Sequence, residues 1–157
     1  KPDWLSMAWV DTGYATSTAP YLRAVASWKA RSKPQHDAVM TLLTAYSEAA
    51  CVAYKECNWL AWQTAVKGYG VGLRELGSAA TVDIWSDAHA AILGAVEHLD
   101  VCYKPSGAGG GDLGILCAAD GVVLQQAMDV LREQGWASER VNVSARGSHV
   151  EASTHGC

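Results

Sequence analysis

The spacing of apolar residues predicts two long helices in the first half of the chain. Apolar positions recur every three or four residues over 35–50 and again over 58–76, which is the repeat of a helix with one buried face. Asn58 is a typical N-cap, and Gly77 stands where a helix usually ends. We therefore predict two helices that pack as an antiparallel pair.

Three glycines lie inside the second of these helices: Gly68, Gly70 and Gly72. Each costs a helix on the order of 1 kcal/mol relative to alanine. No strand precedes them, so the G-x-G-x-G pattern does not indicate a phosphate loop. Close approach of a neighbouring helix is the interpretation that we favour.

The same patterns predict the other elements. We expect further helices over 18–31, 86–99 and 120–135, strands over 3–9, 101–104, 113–118 and 138–143, and a short extended piece over 82–85. In the first of these helices Leu22, Val25 and Ala26 should face inward. The order of elements is that of an α+β, ferredoxin-like split βαβ fold with additional helices inserted in its first half. It predicts an antiparallel sheet with helices on one face.

Composition narrows the class of protein. The 157 residues suffice for one domain with its own core, and half of them are hydrophobic. No apolar run approaches the roughly 20 residues of a membrane span, so we expect a soluble protein without a membrane partner. The net charge of −4, without clustered Lys and Arg, argues against binding to nucleic acid.

The cysteines and histidines of this chain indicate neither a redox pair nor a metal site. The five cysteines form no C-x-x-C pair and lie mostly in apolar stretches, which fits reduced thiols in a cytoplasmic protein. The five histidines show no metal-ligand spacing, so we expect them at the surface and predict no metal site.

A glycine-rich segment, KPSGAGGGD at 104–112, joins two predicted strands. It has two explanations. Glycine accepts a positive φ at no steric cost, so the segment could be a permissive connection. Alternatively, its backbone N–H groups converge on an anion, with Lys104 and Ser106 adding a cation and a hydroxyl. The residues alone leave both explanations open.

The string KPSGAGGGD, followed by LGI, resembles the third conserved motif of the GHMP small-molecule kinases, in the form found in their phosphomevalonate kinase branch. The segments GLRELGSAATVDI at 72–84 and VLREQGWASERVNVSARG at 130–147 are similar to the family's flanking elements. TGYATST at 12–18 resembles its Trp-Thr-Gly and Ser-Thr pattern, although two residues separate Trp9 from Thr12. The resemblance implies that 1–147 form a GHMP kinase C-terminal domain and that 148–157 form a flexible tail.

The resemblance also implies a reaction, in which the intact enzyme transfers the γ-phosphoryl group of ATP, bound with Mg²⁺, to phosphomevalonate in isoprenoid synthesis. Its implied phosphate-binding residues are Lys104, Ser106, Gly107, Ala108, Gly109, Gly110, Gly111 and Asp112, with Ser17 and Thr18 lining the acceptor pocket. For Asp112 a turn-stabilising role is the alternative. We expect the family's ATP-binding N-terminal domain to be absent from this chain, together with the residue that acts as acid or base or orients the acceptor, and we expect no tightly bound cofactor here.

Two hypotheses describe the function of the chain. In the first, it is the acceptor-binding half of such a kinase, with an N-terminal kinase domain and a phosphorylated small molecule as partners. It then needs an exposed apolar docking face. In the second, it is a free-standing, non-catalytic domain that binds a phosphorylated metabolite or a protein partner, and its surface is closed and polar.

Overall fold

The computed structural model describes residues 3–142. Within that range the elements, in chain order, are β1 (Ser6–Asp11), α1 (Thr18–Arg31), α2 (Lys33–Lys55), α3 (Trp59–Ala80), α4 (Asp87–Val96), β2 (Val101–Pro105), β3 (Leu113–Ala118), α5 (Gly121–Glu133) and β4 (Ser138–Arg140). None of these helices is both long and apolar enough to cross a bilayer.

The four strands form one antiparallel sheet in the order β2-β3-β1-β4. Strand β3 lies between β1 and β2, which is the defining arrangement of the split βαβ fold. The α+β, ferredoxin-like architecture with inserted helices is therefore confirmed. The inserted helices are α1, α2 and α3, which all precede the last helix of the first crossover.

One face of the sheet carries the main core. Ala8 and Val10 of β1 alternate with outward residues and are fully buried, as period-two strands require. They pack with Leu116 of β3 against Ile92 of α4 and Leu124 of α5. Residues of the strands, α4 and α5 thus form one apolar cluster on this face.

Helices pack on both faces of the sheet, with α3 on the second face beside β2 and β3, so the expectation of helices on one face is wrong. Cys102 and Cys117, which are paired across β2 and β3, point to the face opposite the main core. There they pack with Trp62 and Val66 of α3. The reason is that β2 and β3 are apolar on both sides, a pattern that requires cover on both faces.

The predicted antiparallel pair is α2 and α3, and the glycines of α3 lie where α2 comes close. A Cβ on Gly68 would overlap the ring of Tyr46, and one on Gly72 would lie 2.7 Å from Leu43 Cδ2. The packing interpretation of these two glycines is therefore confirmed.

Several local expectations were wrong. Helix α3 continues past Gly77 to Ala80 and ends at Thr81, which has a left-handed backbone. Gly77 is instead needed for packing, because a Cβ there would lie 2.7 Å from the carbonyl oxygen of Val82. No strand forms over 82–85, and α4 ends at Val96 rather than at residue 99.

The burial of individual side chains contradicts two further predictions, one for the inward face of α1 and one for the histidines. On α1, Leu22 and Ala26 are exposed, and Trp28 is the buried residue. His36 and His89 are buried rather than at the surface. The predicted end of the last strand at Val143 and the tail lie outside the described residues.

Candidate functional site

The glycine loop, 104–112, is held by hydrogen bonds to two other segments. The amide of Asp112 donates to the carbonyl of Tyr14 over 2.6 Å, and the amide of Thr12 donates back to Asp112 over 3.0 Å. On the other side the amide of Gly110 donates to the carbonyl of Ile84 over 2.9 Å. The fold thus brings the loop together with the 12–18 segment, as the site prediction requires.

Steric crowding explains part of the glycine run. Gly109 has φ +74°, and a Cβ there would lie 2.5 Å from the carbonyl oxygen of Ile84. At Gly111 a Cβ would lie 2.6 Å from the carbonyl oxygen of Tyr14. Backbone atoms occupy the space that any side chain would need, so glycine is required at both positions whatever the loop binds.

Some amides of the loop stay available to a ligand. The amides of Ser106, Gly109, Gly110 and Asp112 donate to carbonyls within the protein. Among residues 3–142 no acceptor pairs with the amides of Gly107, Ala108 and Gly111. Gly107 is exposed and Ala108 half-buried, whereas Gly111 is buried. Gly107 and Ala108 therefore carry the two unpaired amides that belong to residues not fully buried.

The N-terminus of α1 lies beside this loop. Ser17 is the N-cap of the helix and Thr18 its first residue, and Thr16, which precedes them, packs against Gly111. The Ser17 hydroxyl makes no capping hydrogen bond, and the first turn contains no acidic residue. By contrast, side chains cap α3, α4 and α5. The amides of Thr18 and Ala19 therefore receive no cap from Ser17, Pro20 has no N–H, and the positive end of the helix dipole lies at this position.

Asp112 closes the loop in a conformation that suits its residue type. Its φ is +55°, in the left-handed region that Asp adopts more readily than most residues. Its carbonyl accepts from the Thr12 amide and, over 2.9 Å, from the Thr12 hydroxyl. Its side chain is exposed. The turn-stabilising explanation accounts for these contacts.

The side chain of Lys104 lies near Tyr69 of α3. Its Nζ donates to the carbonyl of Pro105 over 2.8 Å and lies 5.9 Å from the ring centre of Tyr69 on α3. Burial lowers the pKa of this ammonium below its ordinary value of 10.5. The ammonium lines a cavity between α2 and α3, a position that no sequence pattern around Lys104 predicts.

A buried histidine, which was predicted at the surface, lies close to the backbone of Gly111 in the glycine loop. His89 of α4 is fully buried, and its Nδ1 lies 2.7 Å from the hydroxyl of Tyr103, while its Nε2 has no partner within residues 3–142. Burial lowers its pKa below 6.5. Its position relative to Ile92 and Val96 provides a usable signal, because residues three and seven apart share a helix face.

Metal-ligating side chains do not assemble in this region. Across the part of the chain that the structure describes, no three His, Cys, Asp or Glu side chains are grouped as a metal site requires.

The fold matches several solved structures over most of the chain, and small-molecule kinases are among them. A Lin0012 protein from Listeria innocua aligns with a TM-score of 0.80 and 19% identity, covering 87% of this chain and 39% of the other. Phosphomevalonate kinase of Streptococcus pneumoniae, solved with phosphomevalonate and AMPPNP, aligns with a TM-score of 0.72 and 18% identity, covering 87% and 40%. Mevalonate kinase of L. major, solved with R-mevalonate, aligns with a TM-score of 0.73 and 18% identity, covering 90% and 44%.

No family model matches the sequence, and no curated protein matches it. At identities this low the structural likeness establishes the fold and leaves function to the site. The chain spans about two fifths of the length of the solved structures that it resembles. It has the fold of a part of phosphomevalonate and mevalonate kinases, in agreement with its sequence resemblance to the GHMP kinases.

Proposed function

We propose that this chain is the acceptor-binding part of a GHMP-type small-molecule kinase and that its acceptor is phosphomevalonate. One observation carries the proposal: the unpaired amides of Gly107 and Ala108 belong to a loop that contacts the segment leading into the uncapped N-terminus of α1. Two sources of N–H groups in one region support the proposal of a site for a phosphate group.

The chemistry of the reaction fits such a site. Both ATP and phosphomevalonate are anions, and phosphoryl transfer depends mainly on positioning and on stabilising negative charge. The amides of Gly107 and Ala108 would hold the acceptor phosphate, and the hydroxyls of Ser106, Ser17 and Thr18 would surround it. Lys104 is left out of this set because its ammonium faces the cavity between α2 and α3.

ATP, Mg²⁺ and the residue that orients the acceptor belong, in this proposal, to the kinase domain that completes the enzyme. No described residue is assigned to the metal. Exposed apolar side chains on the segments around the proposed site support such a partner, namely Tyr14 before α1, Leu22 on α1 and Leu113 after the glycine loop. A docking domain would cover them and exclude water from the reacting phosphates.

Binding can be tested without the partner domain. Phosphomevalonate is titrated into the ¹⁵N-labelled chain, and we expect the largest shifts at the amides of Gly107, Ala108 and Thr18. The double variant Ser17→Ala, Thr18→Ala should weaken binding by about tenfold, the effect of losing one or two hydrogen bonds to a charged group. Thr44→Ala is the matched control, because its hydroxyl donates to Met40 on the remote helix α2. Shifts confined to other surfaces would overturn the assignment.

Turnover tests the kinase hypothesis against the free-standing domain. We expect no phosphomevalonate-dependent ADP release from the chain alone, and release once a separately produced N-terminal kinase domain is added. Phosphomevalonate binding without turnover under both conditions supports the non-catalytic alternative. Turnover by the isolated chain contradicts both hypotheses.

A further inference from the structure

A cavity of about 230 Å³ lies between α2, α3 and the edge strand β2. Its lining residues are Tyr46, Ser47, Ala50, Ala65, Val66, Tyr69 and Lys104. No residue of the glycine loop after Lys104 lines it. The cavity is therefore separate from the proposed phosphate site, and a ligand bound in it would add to the proposed function.

Most polar groups in the cavity have no hydrogen-bond partner among residues 3–142. Lys104 carries three N–H donors, and Pro105 supplies the one acceptor found for them within residues 3–142. The hydroxyls of Tyr46, Ser47 and Tyr69 have no hydrogen bond to any described residue. No acidic side chain of the described chain lines the cavity. It thus combines a cation and three hydroxyls with apolar walls and no anion from that part of the protein.

An ammonium in apolar surroundings is costly unless it is paired. The face of Tyr69 offsets part of this cost, since its ring centre lies 5.9 Å from the Nζ of Lys104. The desolvation is reflected in the lowered pKa of the lysine. The two remaining donors of the ammonium are not satisfied by either contact, so an anionic group from outside the chain would stabilise the charge.

Cavity size and charge define the class of ligand. A cavity of about 150 Å³ accommodates benzene, so 230 Å³ leaves room for a ring or branched chain with one further polar group. One ammonium can compensate a singly charged carboxylate. A phosphate dianion would lose its hydration against Ala50, Ala65 and Val66 without enough donors to replace it.

We propose that this cavity binds a small organic acid, with its carboxylate on Lys104 and the hydroxyls of Tyr46 and Tyr69, and its apolar body against Ala65 and Val66. The site lies between helices α2 and α3 and strand β2, and β2 leads directly into the glycine loop.

The test uses benzoate as the probe and benzyl alcohol as its uncharged analogue, each titrated into the full 157-residue chain by calorimetry. We expect saturable benzoate binding at least about tenfold tighter than that of benzyl alcohol, the fold-change of one charge-assisted hydrogen bond. Equal affinity for the two probes, or no benzoate binding, would overturn the proposal.

Variants locate the binding. Lys104→Met keeps the length of the side chain and removes the charge, so it should abolish the preference for benzoate over benzyl alcohol. Lys67→Met is the matched control, because Lys67 is an exposed lysine of α3 that lines the neighbouring groove. Ala50→Leu should block both probes by filling the cavity, and it tests the proposal should Lys104→Met fail to fold. Benzoate binding that survives Ala50→Leu, or that Lys67→Met reduces as strongly as Lys104→Met, refutes the assignment.

Competition separates this site from the phosphate site. We expect inorganic phosphate and phosphomevalonate to leave benzoate affinity unchanged, whatever they do at Gly107 and Ala108. Displacement of benzoate by phosphate would contradict the carboxylate assignment. Unchanged benzoate binding in a chain that fails to bind phosphomevalonate would reject the proposed function alone.

Discussion

Two glycine-rich stretches of the chain are similar in sequence and different in physical role. In the glycine loop, Gly107, Gly109 and Gly110 have positive φ, and carbonyl oxygens of other segments occupy the space beside Gly109 and Gly111. In α3 the glycines are helical, and side chains of α2 occupy the space beside Gly68 and Gly72. Backbone cannot move aside as a side chain can. Glycine in the loop is therefore required by main-chain geometry, and glycine in α3 by helix packing.

The largest effect should come from Gly109→Ala. The new Cβ would meet the carbonyl of Ile84 at 2.5 Å in a backbone with φ +74°, so both overpacking and strain apply. We expect a loss of about 3 kcal/mol in the free energy of unfolding, measured by urea denaturation. Gly107→Ala is the control, because φ is also positive there but no atom of the described residues lies within 4 Å. It should cost about 1 kcal/mol. Equal losses of unfolding free energy in the two variants would show that crowding by Ile84 adds nothing to the strain of a positive φ.

Gly68→Ala should have a smaller effect. The new methyl group overlaps the ring of Tyr46, which can rotate, and alanine also favours the helix by about 1 kcal/mol. We expect a net loss of about 1 to 2 kcal/mol in the same measurement. Gly94→Ala in α4 has open space around it and should instead stabilise the protein by up to about 1 kcal/mol. A gain at Gly68 would show that α2 and α3 do not pack closely there.

Acid should destabilise the region behind the loop through His89. Its folded pKa lies below the unfolded value of 6.5, so the unfolded chain binds the proton more tightly. His89 then lowers stability as the pH falls below 6.5, by at most about 1.4 kcal/mol per pH unit, down to its folded pKa. Thermal unfolding between about pH 7.5 and 5 measures the slope. His89→Asn, which can keep the contact with Tyr103, should reduce the slope of stability against pH. An unchanged slope would mean that other titratable groups cause it.

The smallest effect on stability should come from removing the Ser17 hydroxyl at the start of α1, and the Asp120 cap of α5 serves as the comparison. Asp120→Ala removes a cap that accepts from the Val122 amide over 2.7 Å, and it should cost about 1 kcal/mol of unfolding free energy. Ser17→Ala removes a hydroxyl without a capping bond, so we expect almost no change in stability. A loss at Ser17 as large as at Asp120 would mean that this hydroxyl caps α1 and is not available to a ligand.

Local patterns predicted most of the elements. Apolar repeats of three and four residues located α2 and α3, and Asn58 marked a helix start because its side chain bonds one of the first free amides. Ser86 and Asp120 do the same at α4 and α5. Boundaries set by tertiary contacts were not predictable. Gly77 looked like a helix stop, although it is an interior position where Val82 passes close to the helix.

The candidate site also has a part that the sequence predicted and a part that it did not. Ser17 and Thr18 were grouped with the glycine loop through a family resemblance, and the fold brings their segment to the loop through Tyr14 and Asp112. Neither the direction of Lys104 nor the contact of His89 with Tyr103 could be read from their neighbours in sequence. Both depend on elements that are distant along the chain.

The sequence by itself determined which segments are helical or extended and the order in which they occur, because periodicity and capping are local properties of the chain. That order also determined the split βαβ topology, since it has few compact solutions. Only the tertiary structure decided which loop amides remain unpaired, which glycines are crowded by backbone and where the ammonium of Lys104 lies. Those features depend on packing between segments up to 100 residues apart, as in the bond from Thr12 to Asp112.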